Sequence, residues 1–249
     1  MAREFIHDSV GLTESTLTDG TASGSTFSAS SSVTNEERAI DMSISTAFTS
    51  FNADDTLRFD LGSAQTANCI ALYYSSAHGH DFKLYKGSSA TAMGTEILNQ
   101  TASISQGWNV ITFTETSGRY WFLRSTTGTI DDITEIIIGN RYEFDVNPEI
   151  NATIGEEFGT DVVTSYGGNE YANKRHEPKT TFSFSFSHIL STQKTAFENL
   201  NADVQDFKKF LYKDDDDNYH YVRLTQPIDF TEVAPNVFSA NINLREQLS

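Results

Sequence analysis

The side chains best able to do chemistry in this 249-residue chain are few and scattered. His78 and His80 flank Gly79, with Asp81 next. Imidazole and carboxylate are good metal ligands. An i, i+2 pair in a loop supplies only two of them, however, so a polar loop tip is the simpler reading. Asp54 and Asp55 are adjacent, with Asp41 upstream. Their oxygens suit calcium, but two acids just ahead of a strand read first as a solvated turn. Asp214–Asp217 are four successive carboxylates that repel one another unless solvent or a cation screens them. Their spacing differs from the alternating ligands of an EF-hand loop, and the exposed tip of a hairpin accounts for them. Cys69, the single cysteine, lies in the apolar run ANCIALYY, reads as a buried inert thiol and has no partner for a disulfide within the chain. There is no GxSxG, no HExxH and no phosphate-cradling glycine loop. The carboxylate pair needed for glycoside hydrolysis cannot be placed either. The chain is therefore expected not to be an enzyme and to need no cofactor.

Strands must hold these groups in place. Leu57, Phe59 and Leu61 alternate with Arg58 and Asp60, the period of a half-buried strand, and Gly62-Ser63 supplies a turn. Ile70, Leu72 and Tyr74 begin a second strand, with Ala71 and Tyr73 on its other face. Phe82, Leu84 and Tyr85 follow the AHGHD loop, Trp108 to Phe113 make another strand, and Arg119–Leu123 the next. Ile133 and Ile136–Ile138 form a β-branched run closed by Gly139-Asn140. Short strands separated by turn residues indicate an antiparallel β-sandwich. Residues 1–35, rich in Ser, Thr and Gly, read as a flexible or edge segment, with Glu4–Ile6 a short strand or an arm that docks elsewhere.

A second domain begins near Arg141. In TTFSFSFS, Phe182, Phe184 and Phe186 face one way and Ser183, Ser185 and Ser187 the other. One helix is predicted from about Ser191, a suitable N-cap, to Val204, with Phe197, Leu200 and Val204 on one face. A hairpin with the DDDDN tip and a last strand, VFSANINLRE, complete the chain. The expected fold class is mainly β: an antiparallel sandwich over 1–140 with a flexible N-terminal segment, then a β domain over 141–249 carrying one short helix.

Charge narrows the partners. Thirty-four acidic residues against seventeen basic ones give a net charge of −17. A field of that sign repels phosphate backbones and anionic bilayers, so neither nucleic acid nor a membrane surface is an expected partner. No apolar run approaches a membrane span, and the N-terminus lacks the apolar region of a signal peptide, so no anchor or secretion signal is expected.

Four segments, taken in order, resemble the discoidin or galactose-binding-like jelly roll. They are Ile40-Asp41 with Thr46-Ala47-Phe48, then Leu57–Gly62, then Arg119–Leu123, then Ile133–Ile136. The resemblance covers about 35–140. It implies a structural calcium near Asp41, Asp54 and Asp55, and a ligand-facing loop at His78 and His80, with Trp108 a further glycan contact. The second half resembles bacteriophage tail-tip proteins, the distal and minor tail proteins of long non-contractile tails. The matching pieces are Ile138–Phe144 with Asn147-Pro148, Gly167-Gly168 with Phe182–Phe186, the helix, and Leu244–Glu246. Distal tail proteins usually place the ring-forming β domain first, and here the order is reversed. That resemblance implies a structural virion protein, assembled in the host cytoplasm. It would form a closed homo-oligomeric ring, sixfold in the simplest case, joining the tail tube to the tip hub at the baseplate. The alternative is a carbohydrate-binding adhesion protein that contacts host-surface glycans.

Overall fold

The computed structural model describes residues 3–29, 33–76, 81–100, 105–149 and 152–247. The fold is mainly β, with one α-helix among the described residues. The chain forms two compact units, Ile6–Arg141 and Tyr142–Leu248 joined by Met1–Phe5.

In the Ile6–Arg141 unit the strands run β1 (Glu4–His7, which begins in the other unit), β2 (Leu17–Ser23), β3 (Thr26–Ser28), β4 (Asp55–Tyr74), β5 (Phe82–Gly87), β6 (Thr95–Gln100), β7 (Gly107–Ser125) and β8 (Ile133–Glu143). Two of these differ from the sequence reading. Gly62-Ser63 does not end a strand, and Trp108–Phe113 and Arg119–Leu123 are not separate. Each pair is one long strand, β4 and β7, that bends. Their mutual register runs Thr56↔Arg124 to Asp60↔Tyr120, breaks, resumes at Gln65↔Gly118, shifts once more between Ala67 and Cys69, and runs on to Tyr74↔Gly107. At the break Gly62 takes φ +71, a conformation an L side chain rarely adopts. Before it, β4 pairs with β2, and β2 with the edge strand β3. The matching half of β7 pairs with β5, and β5 with β6. Beyond it, β4 pairs with β8. The inward residues of both halves meet in one core, where Leu57, Phe59, Trp121 and Leu123 from the first halves pack with Ile70, Leu72, Ile136 and Ile138 from the second. Trp121 is fully buried, and its indole N–H donates to the Gly118 carbonyl at 3.0 Å.

Gly139 also departs from expectation, because β8 continues through it rather than closing there. A Cβ at Gly139 would stand 1.9 Å from the His7 carbonyl oxygen, so only glycine fits against that backbone. The Cys69 thiol is buried and donates to the Gly139 carbonyl at 3.3 Å.

The second unit holds β9 (Thr153–Thr164), β10 (Glu170–Leu190), α1 (Ser191–Val204), β11 (Phe210–Lys213), β12 (Tyr219–Leu224), β13 (Phe230–Ala234) and β14 (Val237–Glu246). Its core is largely aromatic: Phe182, Phe184 and Phe186 point inward and meet Phe144, Phe197, Phe210 and Tyr212. The helix buries Gln193, Phe197, Leu200 and Val204. Its N-cap is Leu190, one residue before the Ser191 expected there, and no side chain caps it. Gln193 instead clamps the chain ahead of β9, accepting the Val146 N–H at 2.8 Å and donating to the Val146 carbonyl at 3.0 Å. Phe5 also lies in this core, 4.7 Å edge-on from Phe144 and 5.3 Å from Phe210.

The acidic run forms the β11–β12 turn. Asp214 closes it by accepting the Asp216 and Asn218 N–H groups at 2.9 Å. Asp214 also accepts from His220 Nε2 at 2.9 Å, while His220 Nδ1 meets Glu246 at 3.2 Å. Burial disfavours the charged ring, but the two carboxylates outweigh it and hold the His220 pKa above the ordinary imidazole value. The same contacts hold Glu246 and Asp214 below the usual carboxylate range, in the latter case against its own burial.

Two outcomes follow for stability. Phe5→Ala should destabilise the second unit by about 3–5 kcal/mol. Hydrogen exchange should show lost protection over Phe182–Phe186 with no change over Ile70–Tyr74. A raised His220 pKa stabilises fully below about pH 6.5, the unfolded value, and that contribution is lost as pH rises through the folded pKa. Denaturant midpoints should therefore fall between about pH 6 and 8, and His220→Gln should flatten that fall.

Candidate functional site

The bend in β4 and β7 sets which residues reach the outer face of the β8–β4–β7 layer. Ile70, Leu72 and Tyr74 point into the core, so Tyr73 points the other way. Tyr73 stands directly opposite Trp108 on β7 and Glu135 on β8. The three form one cross-strand row. The Tyr73 and Trp108 rings meet edge to face, with centroids 5.3 Å apart and planes at 74°. Both rings are half-buried, whereas Glu135 is buried. Cys69, Ala71 and Ile137 on the same face are buried too. The accessible part of the face is therefore the end that carries the two rings.

Side-chain amides fix the strand ends here. Gln106 donates to the Ser75 carbonyl at 2.9 Å. Asn109 accepts the Ser105 N–H at 3.2 Å and donates to the Ser105 carbonyl at 2.7 Å. On the core side, burial and then the Asp132 charge push the Tyr74 phenol well above its ordinary value. Ser75 and Ser76 tie this strand end to Asp132, the first by its N–H to the carbonyl at 2.9 Å, the second by its hydroxyl to the carboxylate at 3.3 Å.

His78 and His80 lie outside the described residues. Trp108 sits at the accessible end just described. The three acids expected near one another have separate tasks. Asp41 accepts the Ser43 N–H at 2.7 Å and the Thr46 hydroxyl at 3.2 Å. The Asp54 carboxylate pairs with Arg124, and its carbonyl accepts the Ala22 N–H at 2.8 Å. Asp55 is buried and accepts the Asn52 N–H at 2.9 Å. Among the described residues no three His, Cys, Asp or Glu side chains group to hold a metal ion.

Tyr73 and Glu135 were not singled out from sequence. The signal for Tyr73 was its place on the outer side of an alternating strand, and for Glu135 a lone charge inside an isoleucine run. Elsewhere in this unit a hollow of about 460 Å³ is lined by residues that include Lys86, Gly87, Thr95, Ser117, Gly118 and Arg119. Its cations are already engaged. Lys86 donates to the Thr116 hydroxyl and to the Ser117 carbonyl. Arg119 forks onto Asp60 at 2.7 and 3.1 Å, and its hydrogen bond holds the Asp60 carboxyl below its usual range.

No protein-family model matches the chain, and no curated protein matches it. Among solved structures it is similar to the CBM32 module of AlyQ in complex with 4,5-unsaturated mannuronic acid, at 26% identity over 43% of this chain and 92% of that one, TM-score 0.36. It is similar to chitosan-binding module 1 of a chitosanase/glucanase from Paenibacillus sp. IK-5, at 20% identity over 53% and 98%, TM-score 0.40. It is also similar to CBM32-1 of a family 31 glycoside hydrolase from Clostridium perfringens, at 14% identity over 49% and 93%, TM-score 0.37. All three scores lie under 0.5. None of these three is a phage tail protein, so the tail-tip resemblance finds no counterpart among them.

Proposed function

We propose that the Ile6–Arg141 unit is a non-catalytic carbohydrate-binding module whose contact surface is the accessible end of the β8–β4–β7 face. The observation that carries this reading is the Tyr73–Trp108 pair in register with Glu135. A sugar ring offers C–H groups on its faces and hydroxyls around its rim. Half-exposed aromatic rings such as Tyr73 and Trp108 cover the first, and the exposed polar side chains of Gln106 and Ser75 at the same strand end face the second. His78 and His80, which follow β4 within a few residues, belong to the proposed contact set. A broad glycan array probed with the full chain should give saturable hits. Trp108→Ala, a change at a half-exposed position, should keep the fold by circular dichroism and weaken those hits by about tenfold or more. An array with no hit sinks the reading.

A second reading, assembly into a phage tail tip, is favoured by one observation. Between Glu170 and Lys179, β10 pairs with β9 alone, and this ribbon exposes Phe158, Val162, Val163 and Tyr171. In that reading the second unit forms a ring of identical subunits on the virion, between tail tube and tip hub. Negative-stain images of the purified chain should show rings with a central channel, and a uniform field of single subunits counts against it.

A further inference from the structure

We infer that the second unit carries a sugar site of its own, in the hollow where the end of α1 meets the segment between β12 and β13. The hollow has a volume of about 470 Å³, within the range of roughly 300–1,000 Å³ typical of small-ligand sites. It lies within the Tyr142–Leu248 unit and shares no residue with the Tyr73–Trp108 face. One wall carries Asn201, Gln205 and Asp206, and the other Thr225, Gln226 and Pro227. Hydrogen bonds hold both walls in place. Asn201 donates to the Ile228 carbonyl at 2.9 Å and accepts the Ile228 N–H at 3.0 Å, so it ties one wall to the other. Arg223 donates to the Asp206 carbonyl at 3.2 Å. Thr225 donates to the Asn243 carbonyl through its N–H at 3.0 Å and its hydroxyl at 3.2 Å.

That frame uses the backbone and the Asn201 amide, and it leaves other side chains idle. Gln205, Asp206 and Gln226 are exposed, and their side chains make no hydrogen bond or ion pair among the described residues. Gln205 adds a second observation. Just past the last helical residue it takes φ +50 and ψ −135, a region that suits glycine and that an L side chain rarely enters. Strain of this kind collects at sites where the side chain is used. The chemistry of the idle groups names the ligand. Two amides can each donate and accept, and a carboxylate accepts, which matches the hydroxyls of a sugar. Pro227 offers apolar surface to a sugar's C–H groups. The lining holds one carboxylate and no base, and the C-terminal end of α1 adds partial negative charge. A neutral or amino sugar fits that field and an anionic one does not.

The test titrates the full chain with galactose, N-acetylglucosamine and glucosamine by ligand-observed NMR, with glucuronate as the anionic control. In the Trp108→Ala background at least one of the three sugars should still bind, and glucuronate should not. Adding Asp206→Ala and Gln226→Ala, both at exposed positions, should weaken that residual binding about tenfold or more, with circular dichroism unchanged. Gln205→Gly separates ligand binding from fold: relief of the strained backbone should raise the thermal midpoint while sugar affinity falls. Loss of all binding in Trp108→Ala, or residual binding untouched by Asp206→Ala with Gln226→Ala, overturns this inference and leaves the Tyr73–Trp108 reading standing. Full affinity in Gln205→Gly, or glucuronate bound as tightly as the other sugars in Trp108→Ala, overturns it too. If the unaltered chain binds none of the three sugars, this inference falls, and the broad array alone decides the other reading.

Discussion

The break in the pairing of β4 with β7 is the constraint on which the first unit depends. Both strands are long enough to serve two layers, and they bend together, between Asp60 and Gln65 on one and beside Gly118 on the other. Bending turns the inward residues of each half toward the other and so closes a core around Trp121 without a third layer. Gly62, at φ +71, supplies the backbone freedom, and the Trp121 indole, bonded to the Gly118 carbonyl, fixes the depth of the bend. Leu57 and Phe59 thereby share one core with Ile70 and Leu72 of the same strand. The same bend decides that Tyr73 and Trp108 stand together on the outer face.

The second unit solves a different problem. Its core relies on aromatic rings in edge contact, with Phe144 and Phe197 each meeting several others. Backbone groups near that core are served by amide side chains rather than by further strands. Gln193 clamps Val146, and Asn201 clamps Ile228 through the carbonyl at 2.9 Å and the N–H at 3.0 Å. Buried polar groups of this kind fix a single arrangement because an unmade hydrogen bond there is costly. His220 plays the charged counterpart, tying the acidic turn to the last strand.

Much of this was legible from periodicity. The alternation in TTFSFSFS, the helix ending at Val204 and the polar hairpin tip all emerge as read, because each is a local pattern with a local cause. What periodicity could not show was continuity. A glycine inside an alternating run marks either a turn or a bend, and at Gly62 and Gly139 only the packing partner decides which. The cross-strand row of the candidate site was hidden for the same reason. Tyr73, Trp108 and Glu135 are distant in sequence and become neighbours only through register. Of the expected site residues, Asp41, Asp54 and Asp55 illustrate the converse: near in sequence, they turn to different partners.

Phe5 carries a further meaning for how this chain comes to be. Because the first residues belong with Tyr142–Leu248, the Ile6–Arg141 unit is an insertion into another unit's chain rather than a neighbour in tandem. A ribosome releases Phe5 before the inserted unit, yet the rings that receive it, from Phe144 to Phe210, emerge only after the whole of that unit. The inserted unit can complete its core during synthesis, while the host unit must wait for nearly the last strand. Such an arrangement also makes the insert exchangeable in principle, since evolution can replace a module between two fixed ends without redrawing the core that surrounds them.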